Sequence, residues 1–172
     1  QQIEAAAWRS SALGVRVVCL LPGIVLGRGD GAFPALAFAA RCGLGAVLGS
    51  GRQPMPWIHV DDAVGLMCHA LTEPALHGAL NAVAPQAVTQ AQFARGLSAA
   101  VQRPLWLRMP AWPLRLALGE MSELLLCGQQ VVPALALRSA YRFRHASLNS
   151  ALAQLTGRPR EGALARNQLD TM

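Results

Sequence analysis

The sequence predicts an α/β fold in which a parallel sheet lies between layers of helices. Three observations carry this. Val15–Leu21 is a near-continuous apolar, β-branched run, the pattern of a strand covered on both faces. Trp57–Val60 and Ala79–Val83 are further short strand-like runs, and each of the three is followed by a helix or by a loop leading to one. Of 172 residues, 53% are apolar and 14% charged, which is ample for a buried core and too apolar for a disordered chain.

The elements follow in order. Gln1–Leu13 reads as an alanine-rich helix, and Gly14 suits the position just past its end. Val15–Leu21 is the first strand, ended sharply by Pro22-Gly23. Ile24–Leu26 stays apolar and Gly27–Gly31 is a loop. Ala32–Cys42 is helical, with Pro34 in the first turn, where a missing N–H costs little. Gly43–Gly51 holds four glycines in nine residues and reads as a loop or a bent strand edge. Trp57–Val60 is the second strand. Asp61 or Asp62 can then accept backbone N–H bonds at the start of a helix that runs to Pro74. His77-Gly78 turns the chain into the third strand. Thr89-x-x-Gln92 is a capping box, and Phe93, Leu97, Ala100 and Val101 mark the buried face of its helix. Leu105–Met109 is a possible strand. Pro113 starts a helix whose face carries Leu114, Leu118, Met121 and Leu125, a core or interface stripe. Ser147 caps a last helix through Leu148, Leu152 and Leu155 to Gly157, and 157–172 reads as a disordered tail. Three strands are few for this helical mass, which strands upstream of Gln1 would resolve.

The charge set narrows the chemistry. All fifteen basic residues are arginine, the formal charge is 15 − 9 = +6, and Tyr141 is the single tyrosine. Without a lysine, this sequence cannot itself supply a Schiff-base lysine, a phosphate-loop lysine or a Tyr/Lys dyad. Apart from Arg142 with Arg144 and Arg158-Pro159-Arg160, the arginines stand singly, which argues against a nucleic-acid stripe. Cys19, Cys42, Cys68 and Cys127 form no C-x-x-C pair, metal framework or disulfide pattern, so a reducing cytoplasm fits best. No signal peptide pattern opens the chain, and no run reaches the roughly 18 to 20 uninterrupted apolar residues of a membrane span.

Two motifs bear on a site. Gly27-Arg28-Gly29-Asp30-Gly31-Ala32 fits G-x-G-x-x-A, but Pro22-Gly23 breaks the strand early and Asp30 would put a negative charge in the anion cradle, so a flexible loop is the better reading. Trp57-Ile58-His59-Val60-Asp61-Asp62 is the most distinctive stretch. Residues 59 and 61 share a face in a strand, so His59 with Asp61 or Asp62 can serve as a base and its orienter. The plainer alternative is a half-buried strand entering a capped helix with a structural histidine. His59, His69 and His77 match no metal spacing, and Ser10, Ser11, Ser50 and Ser122 lack a nucleophile-elbow context.

Three features in order resemble the C-terminal half of an extended short-chain dehydrogenase/reductase: Pro22-Gly23-Ile24-Val25-Leu26-Gly27, then Gly49-Ser50-Gly51-Arg52-Gln53 with Trp57–Asp62, then Gly78–Pro85. Arg103-Pro104, Met109-Pro110-Ala111, Leu118-Gly119-Glu120, Leu126–Pro133 and Tyr141-Arg142-Phe143 resemble the C-terminal domain of epimerase-family proteins described as nucleotide-sugar epimerases. The resemblance covers about residues 1–156. It implies that residues 1–27 end a Rossmann-like NAD(P)-binding domain whose glycine fingerprint and catalytic residues lie upstream. It implies that residues 28–156 form a small, mostly helical substrate-side domain. Pro22, Gly23, Ile24 and Val25 become cofactor-side candidates acting through backbone groups, with NADP or NAD as the cofactor. Arg52, Gln53 and Trp57 become substrate-side candidates. The implied activity is hydride transfer on a nucleotide-sugar-like or other small carbinol substrate. The alternative is a catalytically inactive cofactor-binding regulatory protein of the same fold. The expected partners are a small-molecule substrate and the upstream half of the same protein, not nucleic acid or membrane. One departure stands out. Where sugar-nucleotide epimerases place an arginine for the substrate diphosphate, two residues before the Ile-His pair, this sequence has Pro56, or Met55 with one residue of slip. Arg52 is the loop residue that would have to substitute.

Overall fold

The computed structural model describes residues 14–29, 31–118 and 128–157. The helix expected over Gln1–Leu13, Asp30, the far part of the 114–125 stripe and the tail beyond Gly157 lie outside the described residues. Among the described residues six strands pair, all in parallel. β1 (Val18–Pro22) pairs with β5 (Gly78–Ala82), β2 (Ile24–Leu26) with β4 (Trp57–His59), and β3 (Ala46–Leu48) with β6 (Leu107–Met109). The helices are α1 (Ala32–Arg41), α2 (Val60–Thr72), α3 (Gln90–Ala100), α4 (Ala111–Leu118), α5 (Ala134–Arg138) and α6 (Leu148–Thr156). The α/β class with a parallel sheet is as the sequence predicts. No helix among the described residues is long and apolar enough to cross a membrane.

β1 ends at Pro22 as expected, and Gly23 leads straight into β2, which has a new partner. The Gly23 N–H donates to the Ala82 carbonyl at 3.0 Å, and the Ile24 N–H to the Pro56 carbonyl at 2.9 Å. A side chain at 23 would put its Cβ 2.8 Å from the Pro56 oxygen and 3.0 Å from Val83 Cγ1, so only glycine lets the backbones approach this closely. The chain therefore pairs with β5 before the switch and with β4 after it.

Alternation along the strands feeds two cores on opposite faces of the sheet. Leu26 and Trp57 join Phe33, Ala37, Phe93, Leu97, Leu152 and Leu155, packed under α1, α3 and α6. Their strand neighbours Val25 and Ile58 face Leu66, Leu80, Ala82 and Ala136, under α2 and α5. The Arg16 guanidinium closes the far end of α2, donating to the carbonyls of Ala70 (2.7 Å), Leu71 (3.1 Å) and Leu76 (3.1 Å). This satisfies acceptors that the last helical turn leaves open.

Local signals decide most helix ends. Thr89 and Gln92 form the expected capping box: the Gln92 N–H donates to Thr89 Oγ1 at 3.2 Å and the Thr89 N–H to Gln92 Oε1 at 2.8 Å. Ser147 caps α6 and Gly157 ends it at φ 78°. At α2 the expectation fails. The N-cap is His59, whose Nδ1 accepts the Asp61 N–H at 3.1 Å, and the two aspartates occupy the first turn instead. A single Gly65 on α2 is fixed by packing: a Cβ there would fall on the Tyr141 hydroxyl.

Candidate functional site

A cavity of about 770 Å³ opens beside the strand switch, between α1, α3 and β3. Its wall includes Ile24, Leu36, Ala39, Leu48, Phe93 and Leu97, closed at one side by Gln53 and Gln129. That volume is in the range of small-molecule sites. Held dry and empty, an apolar void of this size would cost about 18 kcal/mol at roughly 24 cal/mol per Å³, more than the whole stability of about 5–15 kcal/mol of a typical domain. The space is therefore an open cleft and not a dry internal void.

The structure sorts the substrate-side candidates. Gln53 lines the cavity, and its Nε2 donates to the Leu48 carbonyl at 3.0 Å. Arg52 stands exposed on the adjoining loop, outside the wall. Trp57 is only 1% exposed; its indole N–H donates to the Gln86 carbonyl at 3.1 Å and its ring fills the first core. Gln90, which the sequence reading passed over, matters more than its type suggests. It is buried, it takes the Leu48 N–H on Oε1 at 3.0 Å, and its Nε2 donates to the Ala46 carbonyl at 3.1 Å. Its side chain thus pins β3 as a wall. The capping box just before it was the available signal that this helix start is fixed.

Of the cofactor-side candidates, Pro22 has no N–H, and the amides of Gly23 and Ile24 are committed to Ala82 and Pro56. These two N–H donors are taken up by the pairing of the strands. Ile24 presents its side chain to the cavity, whereas Val25 packs into the second core.

His59 sits at the other end of β4, in a polar cluster outside the cavity wall. It is 1% exposed, and its Nε2 lies 3.0 Å from Gln154 Oε1. Its ring stacks on that of the buried His145, centroids 3.9 Å apart, and Asp61 Oδ2 lies 3.6 Å from both rings. With Nδ1 accepting from Asp61, the proton sits on Nε2 and points to Gln154. Burial first, and then the neighbouring His145, push the His59 pKa down against the opposing pull of Gln154, Asp61 and Asp62. This imidazole, bonded at both ring nitrogens, orders the start of α2. Among the described residues, His59, Asp61 and His145 are the group with spacing for a metal, but a metal on His59 would have to displace the cap or the Gln154 bond.

The depressed His59 pKa has a pH consequence. Below the ordinary value of 6.5 the unfolded chain takes up a proton that the folded protein refuses, so stability contributed by His59 is present above 6.5 and is lost as pH falls toward the folded value. The melting temperature is expected to drop between pH 7 and pH 5, and less so in His59→Asn, which keeps a capping side chain without titrating. Equal drops in both proteins would remove His59 as the cause.

Below this cluster, Asp62 is fully buried. Its Oδ1 accepts the Arg144 N–H at 2.7 Å and the Tyr141 hydroxyl at 3.4 Å, and its Oδ2 accepts the His145 N–H at 2.8 Å. Burial and the Asp62 carboxylate push the Tyr141 hydroxyl up to about 12. The lone tyrosine is therefore a structural pin, held protonated far from the cleft.

Residues 2–83 match the NAD dependent epimerase/dehydratase family, and residues 109–155 match a domain of unknown function, DUF1731. The chain is 42% identical over 150 residues to the epimerase family protein SDR39U1 of Mus musculus, covering 87% of this chain and 51% of that protein. The crystal structure of human epimerase family protein SDR39U1 (isoform 2) with NADPH superposes with a TM-score of 0.80 at 38% identity, covering 83% of this chain and 49% of that one. A nucleoside-diphosphate sugar epimerase from Corynebacterium glutamicum superposes with a TM-score of 0.73 at 25% identity, over 96% of this chain and 32% of that one. The chain spans about half the length of the curated relatives it matches.

Proposed function

The chain joins a segment of the NAD dependent epimerase/dehydratase family to a DUF1731 segment, and from that premise we propose that it forms the substrate-side part of an NAD(P)-dependent oxidoreductase or epimerase working by hydride transfer. The observation that carries this reading is the strand-partner switch at Gly23 opening directly onto the large cavity. Gly23 follows the carboxyl end of β1, and in parallel α/β sheets ligands bind in the crevice outside the carboxyl ends of the strands. The NADPH named for the human relative supports the same reading.

A nicotinamide cofactor, when bound, supplies the hydride donor or acceptor. Ile24 then offers an apolar wall to a flat ring, with no free amide at Gly23 or Ile24 to hold a phosphate. Gln53 borders the substrate side of the cleft, and the buried amide of Gln90 keeps β3 in place behind it. The acid/base group comes from residues outside this sequence, because it has no lysine and its one tyrosine is bonded to Asp62. The apolar stripe Val64, Met67 and Leu71, exposed along α2, supports a further packed neighbour on that face.

Calorimetric titration of the full-length protein with NADPH and with NADH tests the reading. Saturable binding of at least one is expected, and absence of binding to both overturns it. Binding without turnover of any carbinol would instead favour a regulatory protein that kept the fold.

A further inference from the structure

We propose that the cavity between α1, α3 and β3 takes an uncharged, largely apolar ligand, and that it does not take a nucleoside diphosphate. This rests on reading that cavity as the substrate side of the proposed oxidoreductase. Three observations lead here.

The wall contains no charged residue among the described residues that line it. An anionic diphosphate placed inside would lose its water without gaining a counter-charge, which is the costly case for burial. The arginine nearest in sequence, Arg52, stands outside on the loop, and the place of the family's diphosphate-binding arginine holds Pro56, whose carbonyl is already bonded to Ile24.

Two of the polar side chains in the wall, Gln53 and Gln90, turn to the β3 backbone. Both ends of the Gln90 amide, and the Nε2 of Gln53, are spent on the backbone of β3. They hold the strand edge that the cavity needs and leave the ligand a surface made mainly of aliphatic and aromatic carbon. Leu36, Ala39, Leu48, Phe93 and Leu97 supply most of it.

The cavity also reaches the strand switch through Ile24, so an apolar substrate seated in it extends toward the place proposed for the nicotinamide ring. A substrate with one reacting carbinol and an apolar body fits both ends of the cleft.

The test uses N-phenyl-1-naphthylamine, an uncharged fluorescent probe, on the full-length protein, with 1-decanol and UDP as competitors. Saturable binding at one site is expected, with displacement by 1-decanol and none by UDP. Ala39→Trp, which fills the cavity from the half-exposed face of α1, should weaken probe binding at least tenfold with an unchanged far-ultraviolet circular dichroism spectrum. Arg138→Ser, exposed at the end of α5 and outside the cavity wall, should leave it unchanged. No probe binding to the wild type, displacement by UDP, or full binding to a folded Ala39→Trp would each overturn the proposal. The competition on the wild-type protein decides the matter even if Ala39→Trp does not fold. An NADPH titration on the same sample separates the two readings. Probe binding without binding of either NADPH or NADH, titrated in the same way, sinks the oxidoreductase and leaves the apolar site, and cofactor binding without probe binding sinks only the apolar site.

Discussion

Asp62→Ala is expected to lower unfolding stability by about 2–6 kcal/mol, and in a domain of ordinary stability that approaches loss of the fold. The carboxylate is fully buried. It is held by the N–H groups of Arg144 and His145 and by the Tyr141 hydroxyl. Truncation leaves both amides without their acceptor, each at about 1–3 kcal/mol. It also removes a negative charge from the first turn of α2, where the helix dipole favours one. Asp62→Asn should recover part of the loss, because one oxygen still accepts while the new NH₂ faces a donor. Urea unfolding measures both variants. An unchanged midpoint for Asp62→Ala would show that the 141–145 segment does not depend on this carboxylate.

Trp57→Ala is expected to cost about 3–5 kcal/mol, the usual range for deleting a buried tryptophan. The ring lies in the first core with Leu26, Phe93 and Leu152, and its N–H is bonded to the Gln86 carbonyl. Trp57→Phe keeps much of the volume but loses that bond, so a smaller cost of about 1–2 kcal/mol is expected. The pair of variants also separates packing from recognition. If Trp57 supports the cleft from behind, Trp57→Phe leaves the affinity for N-phenyl-1-naphthylamine near the wild-type value while stability falls. A large loss of affinity at unchanged stability would place the indole against the ligand instead.

These two residues show what the sequence could and could not reveal. Features that depend on near neighbours were legible: the Thr89–Gln92 box, the Ser147 and Gly157 ends of α6, and the apolar runs of β1, β4 and β5. β3 was left open between a loop and a bent strand edge, because three residues between glycines carry no period; its pairing with Met109 and its neighbours, some sixty positions on, decides for the strand. Asp62 read as a possible helix cap because its real partners, residues 141–145, lie about eighty residues away. The cap fell to His59 because its ring nitrogen already stands over the Asp61 amide while both carboxylates point elsewhere. The cavity was invisible for a similar reason. Its wall joins one face of α1 and one face of α3 to β3 and the loop before β4; helical spacing marks each face but not that the two enclose a common space.

The parallel pairing has a cost in time. Val18 meets Gly78, Ala46 meets Leu107, and even the nearest pair joins Ile24 to Trp57, so every strand contact closes a chain loop of more than thirty residues. None of these ladders can zip from a hairpin. Loop-closure entropy must be paid before any of them gains a bond, which sets a slow folding rate for a chain of this size. Helices such as α3 and α6, with strong local caps, can flicker into place early. The Pro22-Gly23 crossing must wait until β4 and β5 have both arrived, so the cleft beside it is among the last parts of the molecule to take shape.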